Sequence, residues 1–297
     1  MKKKMIKILF GMMYFILGVK AYPSILCPRE LSQSGFTNDL GLLADVVSWE
    51  NTPIVNGVCG AYNQIFEKHG EYDTRMRIYK NNITNDVIFS FRPTQQTSAG
   101  GDIHNNRKLS ACRYMNGSCY GLVNDRFQEA FITLTEDLGD DFFKSLPTDS
   151  VSTVGHSLGG SFQLMMGVYL YSMYSIAPKY MLGFAGPFVG DVVFTETYQY
   201  PLKDKLQDKW WQIETVDVNN PSSYDGTVEG YNVNLPENDP WEAWNPFVKK
   251  PPEDVTVNTP IYIEEDAICR IEIIPLSDSY GMHDLKNYRL ALTGKDC

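Results

Sequence analysis

The chain is poor in histidine and in positive charge. Its 297 residues include only 4 histidines, and 26 Lys and Arg stand against 36 Asp and Glu, giving a formal net charge of −10 at pH 7. Few histidines argue against metal chemistry based on histidine clusters. Phosphate recognition needs clustered cations, so the acidic balance also argues against nucleic-acid binding. We therefore expect no metal, no cofactor and no nucleic-acid partner.

A hydrophobic run long enough to span a membrane is also missing. Residues 5–19 are apolar apart from Lys7, which is short of the roughly 20 residues that a spanning helix needs. Basic residues precede this run, and Val19-Lys20-Ala21 resembles a small-x-small cleavage site. We predict a signal peptide over residues 1–21, a single domain over 22–297, and secretion. The alternative is an uncleaved membrane anchor.

None of the six cysteines forms a C-x-x-C motif. An even number of cysteines in a secreted chain predicts disulfide bonds. Cys112 and Cys119 are close enough to close a small loop, and Cys27 could join Cys269 or Cys297 to tie the two ends together. Two N-x-S/T sequons, beginning at Asn82 and Asn116, are compatible with a glycoprotein.

Strands alternate with helices along the chain. Apolar spacing predicts helices within residues 38–67, broken near Pro53 and Gly57, and further helices over 122–144 and 160–176. Residues 95–118 and 219–258 are polar and are predicted to be loops. Strands are predicted over residues 76–79, 85–91, 150–154, 180–184, 211–218, 261–264 and 269–274. This order predicts an α/β fold with a mostly parallel central sheet flanked by helices. Such sheets carry their sites at the carboxyl ends of the strands.

The strongest chemical signal is the segment Val154-Gly155-His156-Ser157-Leu158-Gly159-Gly160. A β-branched strand precedes this G-x-S-x-G motif and an apolar helix follows it, as a nucleophile elbow requires. Ser157 is thus the candidate nucleophile. The N–H of Leu158, at the helix N-terminus, is a candidate oxyanion donor. The alternative is a Gly/Ser helix cap without chemical meaning.

A serine nucleophile of this type needs an acid and then a histidine later in the chain. His283 is the one histidine that follows Ser157, and it is the predicted base. The candidate acids are Asp217, Asp225 and Asp239. We favour Asp217, because it ends a predicted strand where a carboxylate would be held beside the site.

These residues resemble the class 3 (fungal-type) lipase family, which has the α/β-hydrolase fold. The resemblance extends over residues 75–292, and the elbow matches residue for residue. The other similar segments are Ile88-Phe89-Ser90-Phe91-Arg92-Pro93-Thr94, Tyr120-Gly121-Leu122, Phe184-Ala185-Gly186-Pro187-Phe188-Val189-Gly190-Asp191, and Met282-His283 with Tyr288. The resemblance implies that Thr94 contributes to the oxyanion hole. It also implies that residues 95–118 form a lid, whose polar composition predicts weak interfacial activation.

Two positions depart from the family pattern. Pro93 replaces the usual glycine beside Thr94, which fixes φ there. Asn219-Asn220-Pro221 stands where the family has an N-D-P-like segment, so that Asn220 would replace the acid if that register holds. An Asn cannot stabilise an imidazolium as a carboxylate does.

The sequence thus predicts a secreted serine ester hydrolase of lipase type that acts on acylglycerols or related lipid esters. The alternatives are a catalytically impaired secreted binding protein and an esterase or phospholipase of non-triglyceride substrates. The implied partners are a lipid or other ester and a lipid interface, and no particular oligomeric state is predicted. Without the leader the formal charge would be −15, so neutral or zwitterionic esters are favoured over strongly anionic membranes.

Overall fold

A computed structural model describes residues 24–26, 62–93, 109–115, 119–184, 186–187, 189–206, 209–217, 220–225 and 268–273. Over these residues the strands are β1 (Ser24–Leu26), β2 (Tyr62–His69), β3 (Arg75–Asn81), β4 (Val87–Phe91), β5 (Leu109–Ala111), β6 (Leu122–Asn124), β7 (Val151–His156), β8 (Tyr180–Phe184), β9 (Trp210–Asp217), β10 (Asn220–Asp225) and β11 (Ile268–Ile273).

The helices flank the strands in chain order. They are α1 (Asp125–Thr135), α2 (Gly139–Lys144), α3 (Leu158–Tyr174), α4 (Val192–Phe194) and α5 (Tyr200–Leu206), with a 3₁₀ turn at Glu71–Asp73 and a π-helical turn at Thr195–Gln199. Asn124 begins α1 because its side chain accepts hydrogen bonds from the N–H groups of Arg126 (3.0 Å) and Phe127 (3.2 Å).

In the described part of the chain, nine strands form the main sheet in the order β1-β11-β9-β8-β7-β4-β3-β2, with β10 paired to β9. The central pairs β4–β7, β7–β8, β8–β9 and β9–β11 are parallel, and the pairs towards both edges are antiparallel. Strands β5 and β6 form a separate antiparallel pair. The predicted α/β architecture, a mostly parallel central sheet flanked by helices, is confirmed.

Helix α3 lies in the core rather than on the surface. Its residues from Leu158 to Leu170 are buried, which explains why the sequence here is apolar on all sides. Aromatic side chains of β4 and α1 pack around it: the ring centroid of Phe162 lies 6.1 Å from that of Phe91 and 6.0 Å from that of Phe127. The helix that follows the elbow is therefore held on two sides.

Several predicted elements differ from the structure. Residues 62–69 form strand β2, not the end of a helix. Residues 122–124 form β6 before α1 begins. Two stretches assigned to loops contain the short strands β5 and β10. The predicted strand over 261–264 and the helices predicted over 38–61 lie outside the described residues.

Candidate active site

Ser157 occupies the turn between β7 and α3, at the carboxyl end of the parallel strands. Its backbone has φ 54° and ψ −126°, a strained region for any residue other than glycine. Two hydrogen bonds hold the turn: the Ser157 N–H donates to the carbonyl oxygen of Phe184 at 2.8 Å, and the Gly160 N–H donates to the Ser157 oxygen at 2.8 Å. The strand–turn–helix predicted for a nucleophile elbow is present.

The side chain of Ser157 does not cap the helix. It makes no hydrogen bond to the first turn of α3, although serine is among the residues that favour that role. The residue itself is 4% exposed. The side-chain capping role that the alternative interpretation gives to the serine is therefore not seen in this turn.

Glycine is required on both sides of Ser157. A Cβ on Gly155 would lie 1.9 Å from the carbonyl oxygen of Gly159, and a Cβ on Gly159 would lie 2.1 Å from the carbonyl oxygen of Phe91. Both distances are far below van der Waals contact. The missing side chains allow β7, the first turn of α3 and the end of β4 to approach at the backbone level.

Leu158 is the first residue of α3, and its side chain is buried. The N–H groups of a helix's first turn have no partner within the helix and carry partial positive charge. The 17-residue helix therefore directs its N-terminus at the space beside Ser157. Such a position favours negative charge, which is what an oxyanion donor needs.

Asp217 is the last residue of β9, at the same edge of the sheet as Ser157. It pairs with Ile273 on β11 and with Asn220 on β10. Asp217, the favoured acid, and Asn220, which would stand in place of the family's acid, are therefore direct neighbours across one strand pair. Asp225, the second choice, pairs with Thr215, two residues back along β9.

Other predicted site residues lie outside the described residues. These are His283, Thr94 and Asp239. Strand β11, the last described strand, runs parallel to β9 and so ends at the edge that carries Ser157. Thr94 follows Pro93, the last described residue after β4.

Cys112 and Cys119 form a disulfide bond with a Cα–Cα distance of 5.2 Å, which confirms the predicted small loop. The Cys112 N–H also donates to the carbonyl oxygen of Gly121 at 3.0 Å. The disulfide therefore closes the loop that directly precedes β6.

Asp191, in a segment quoted for the family resemblance, has a structural role. Its Oδ1 accepts a hydrogen bond from the Phe194 N–H at 2.9 Å, and its own N–H donates to the Leu122 oxygen at 2.8 Å. Gly121, at φ 87°, packs against the same turn, since a Cβ there would lie 2.5 Å from the Phe194 nitrogen. The segment around Gly121 and the segment that ends at Asp191 therefore pack against each other beyond the end of β8.

A buried ion pair beside the end of β4 is not predicted by the sequence. The Arg92 guanidinium donates to the backbone oxygen of Asp73 at 2.7 Å and lies 3.2 Å from its carboxylate. The available signal is an arginine directly after a fully buried strand, since a buried guanidinium requires a partner.

Two further observations concern metal-binding groups and membrane-spanning helices within the described residues. No group of three or more His, Cys, Asp or Glu in the described ranges is placed to hold a metal ion. Within the same part of the chain, no helix has the length and apolar character needed to cross a membrane.

Comparison with known proteins gives one family. Residues 80–213 match the lipase (class 3) family, a segment that contains β4, the elbow and β8. The matched segment agrees with the resemblance that the motifs predict, and the observed sheet has the arrangement of the α/β-hydrolase fold. Family and fold together support a lipase-type ester hydrolase.

The chain is similar to several solved structures of lipases. The Lip2 lipase of Yarrowia lipolytica has 16% identity and a TM-score of 0.48, covering 68% of this chain and 78% of that chain. A lipase–propeptide complex of Rhizomucor miehei has 18% identity and a TM-score of 0.48, covering 66% and 65%. The lipase of Rhizopus microsporus var. chinensis has 18% identity and a TM-score of 0.46, covering 67% and 70%. No curated protein matches the chain.

Proposed function

We propose that this chain hydrolyses carboxylic esters through an acyl-enzyme on Ser157. The premise is that residues 80–213 match the class 3 lipase family. Acylglycerols and related lipid esters are the proposed substrates. The observation that carries the proposal is the conformation of Ser157, which has a positive φ, follows a parallel strand and does not use its side chain to cap α3.

The chemistry divides the reaction into two steps. His283 takes the proton from the Ser157 hydroxyl as the oxygen attacks the ester carbonyl. The tetrahedral intermediate collapses, and His283 gives that proton to the alcohol as it leaves. Water then attacks the acyl-enzyme by the same route, releasing the acid and restoring Ser157. Asp217 orients His283 and stabilises its charged form.

The oxyanion of each intermediate would be stabilised by the N–H groups of Leu158 and Thr94. Leu158 supports this role because it opens a long, buried helix whose N-terminus faces Ser157. Donors in such a position are fixed before the reaction begins, so no reorganisation is needed when charge develops. Losing one such donor typically costs about 10²–10³ in rate.

Asp217 is proposed as the acid because of its register. Phe184, whose carbonyl oxygen binds the Ser157 N–H, pairs with Ile213. Strand β9 continues four residues further, so Asp217 lies beyond the level of the nucleophile at the carboxyl edge. Asn220, its neighbour on β10, would then lie beside the acid and would not take its place.

The proposal includes secretion through the signal peptide over residues 1–21, and the Cys112–Cys119 disulfide suits an oxidising compartment. Glycosylation is proposed at Asn82, which lies in the exposed turn between β3 and β4. The next residue, Ile83, is 82% exposed, so an attached glycan would project into solvent.

The test uses the full mature chain with p-nitrophenyl butyrate and a fluorophosphonate probe. Ser157→Ala is expected to lose both turnover and labelling. Ser172→Ala, an exposed serine on the same helix, is the matched control and should retain both. Full activity in Ser157→Ala would overturn the mechanism. A folded wild-type chain that neither turns over ester nor takes up the probe would instead favour the non-catalytic binding protein.

Interfacial behaviour tests the proposed lid over residues 95–118 separately. The segment is polar, with Gln95, Gln96, Asp102, Asn105 and Asn106 among its side chains, so tributyrin turnover should rise smoothly through its solubility limit. A sharp jump at that limit would contradict the lid proposal while leaving the ester hydrolase proposal intact.

A further inference from the structure

Ser161 is a fully buried serine at the end of the first turn of α3, four residues after the nucleophile. The residue is 0% exposed, and its hydroxyl donates to the carbonyl oxygen of Pro187 at 2.6 Å. Burying a hydroxyl is unfavourable unless it finds a partner, and serine is a poorer helix former than alanine. A serine at this position therefore weakens the helix locally unless the bond to Pro187 compensates.

The partner of this hydroxyl lies outside the helix. A serine inside a helix can bond the carbonyl oxygen four residues back, which here belongs to Ser157. The Ser161 hydroxyl donates instead to a residue 26 positions further along the chain, and the Ser157 oxygen accepts from the Gly160 N–H at 2.8 Å. The hydroxyl thus makes a long-range contact in place of a local one.

The chain that leaves β8 contacts the first turn of α3 at three successive levels. At the first level the Ser157 N–H donates to the carbonyl oxygen of Phe184 at 2.8 Å. At the second level a Cβ on Gly160 would lie 2.5 Å from the Cα of Gly186, so the two backbones are in contact. The third level is the hydrogen bond from Ser161, and it is made by a side chain. A substitution there can remove one contact without placing a new atom between the backbones.

The same turn of α3 carries Leu158, the proposed oxyanion donor. On its other side the turn lies against the end of β4, where a Cβ on Gly159 would be 2.1 Å from the carbonyl oxygen of Phe91. Contacts from β4 and from the chain after β8 therefore fix the turn between them. Without the contact at Ser161 the turn can rotate about those that remain, and such a rotation moves the Leu158 N–H relative to Ser157. Hydrogen bonds weaken steeply as their angle departs from linearity.

We infer that Ser161, through its bond to Pro187, is a positioning residue that holds the first turn of α3 for transition-state stabilisation. The inference rests on the proposed function. The bond keeps the Leu158 N–H directed at the point where negative charge develops, and it takes no part in binding the ground-state ester. Loss of the Ser161 hydroxyl should therefore lower kcat and leave KM nearly unchanged, because interactions made only in the transition state raise kcat.

The experiment measures ester hydrolysis by the full mature chain and by variants at the two ends of this bond. Ser161→Ala should lower kcat about 10-fold, because a displaced donor loses part of the roughly 10²–10³ that removal of a donor costs. Alanine is the better helix former, so a weaker helix cannot explain that loss. Pro187→Ala keeps the carbonyl oxygen but frees the φ that the proline ring fixes, and it should lower kcat by a smaller factor.

Thr153→Val is the matched control. Thr153 on β7 donates a hydrogen bond to Oε1 of Gln163 on the same helix at 3.0 Å, and both residues are buried. The substitution removes a buried hydroxyl bond of α3 beyond its first turn, and valine keeps the shape of threonine. It should lower thermal stability and leave kcat close to that of the wild type.

The second readout is the Ki of an alkyl boronic acid, whose tetrahedral adduct with the nucleophile places an oxygen in the oxyanion hole. This Ki should rise by about the same factor as kcat falls in Ser161→Ala, because both report the donor at Leu158. Thr153→Val should keep the wild-type Ki. A merely structural role for Ser161 would lower thermal stability without changing Ki.

A wild-type chain without esterase activity would overturn the proposed function and this inference with it. An active wild type in which Ser161→Ala keeps the wild-type kcat and boronate Ki would overturn this inference alone. The inference would also fail if Thr153→Val loses as much kcat as Ser161→Ala. Should Ser161→Ala fail to fold, Pro187→Ala decides: a lower kcat with a higher Ki supports the inference, and wild-type values of both contradict it.

Discussion

A methyl group placed on Gly155 would lie 1.9 Å from the carbonyl oxygen of Gly159. The two glycines lie on opposite sides of Ser157, one in β7 and one in α3. Their close approach bends the chain so that the nucleophile lies at the turn itself. The overlap would be with a backbone atom, so no side-chain rotation could relieve it.

Gly155→Ala should therefore lower the free energy of unfolding by about 3 kcal/mol and abolish fluorophosphonate labelling of the remaining folded protein. Urea denaturation and gel labelling measure the two effects. Gly139→Ala is the control: Gly139 has φ 65°, but a Cβ there meets nothing within 4 Å. It should cost about 1 kcal/mol of backbone strain with activity unchanged. Normal labelling of Gly155→Ala would contradict the elbow geometry.

The strained backbone of Ser157 should lower the free energy of unfolding. A residue with a side chain at φ 54° and ψ −126° is strained by roughly 1–3 kcal/mol, whereas glycine adopts positive φ freely but loses more entropy on folding. Ser157→Gly should therefore be about 1 kcal/mol more stable than Ser157→Ala, and both should be inactive. Chemical denaturation of the two variants checks this. Equal stability would show that the surrounding backbone has relaxed.

The acid is decided by a comparison across the β9–β10 pair. Asp217→Asn should lower kcat by about 10⁴, because an amide in place of the carboxylate leaves the histidine in the wrong tautomer. Asn220→Ala and Asp225→Asn should stay within a few-fold of the wild type. Esterase kinetics above pH 7 give the result. If only Asp225→Asn shows a large loss of kcat, Asp225 on β10 is the acid and the assignment of Asp217 is wrong.

Acid stability should depend on Glu129. The hydrogen bond from the Tyr72 hydroxyl, followed by that from Arg126, holds the pKa of Glu129 below its usual 4.5. A lowered pKa in the folded state stabilises the protein above the unfolded pKa, and that contribution is lost as the pH falls through the folded pKa.

The difference in Tm between the wild type and Glu129→Gln should therefore be largest near pH 7 and shrink below about pH 4.5. Differential scanning fluorimetry from pH 7 to pH 3 measures it. Glu136→Gln is the control, since its more exposed carboxylate lies 3.5 Å from Lys68 and should change Tm little at any pH. A difference that grows as the pH falls would contradict the assignment.

Local signals predict the elbow well. A β-branched strand, two glycines around a serine and an apolar helix are contiguous in the chain, and the structure folds them as expected. The sequence also predicts strand β8 with the bounds that it has, Tyr180–Phe184. Both elements are largely buried, so the apolar composition of the strands and of the helix helps to identify them.

The helix predicted at the position of β2 is wrong for a physical reason. The pairing of β2 with β3 shifts register between Gln64 and Phe66, which interrupts the alternation of inward and outward residues. The apolar residues Tyr62, Ile65 and Phe66 then have the spacing of a helix. Strand β10 escapes prediction because Asn220-Pro221 is typical of a turn, although proline is tolerated in a strand that pairs on one side only.

Long-range contacts set the remaining limit. Arg92 meets Asp73 because β3 and β4 form an antiparallel pair that brings residues 19 positions apart together. Nothing in the residues near Arg92 identifies that partner. The neighbouring positions of Asp217 and Asn220 likewise follow from a strand pair that composition does not predict.

The pairing of β1 with β11 orders the events of synthesis. Ser24–Leu26 lies beside Ile268–Ile273, so the first described strand waits for the last before it gains its neighbour. The described contacts of the elbow at Ser157 are with β4, β8 and α3, whose residues all precede β11 in the chain. His283, the proposed base, is synthesised after all of these strands. If His283 is the base, ester hydrolysis would require synthesis of the chain beyond residue 283.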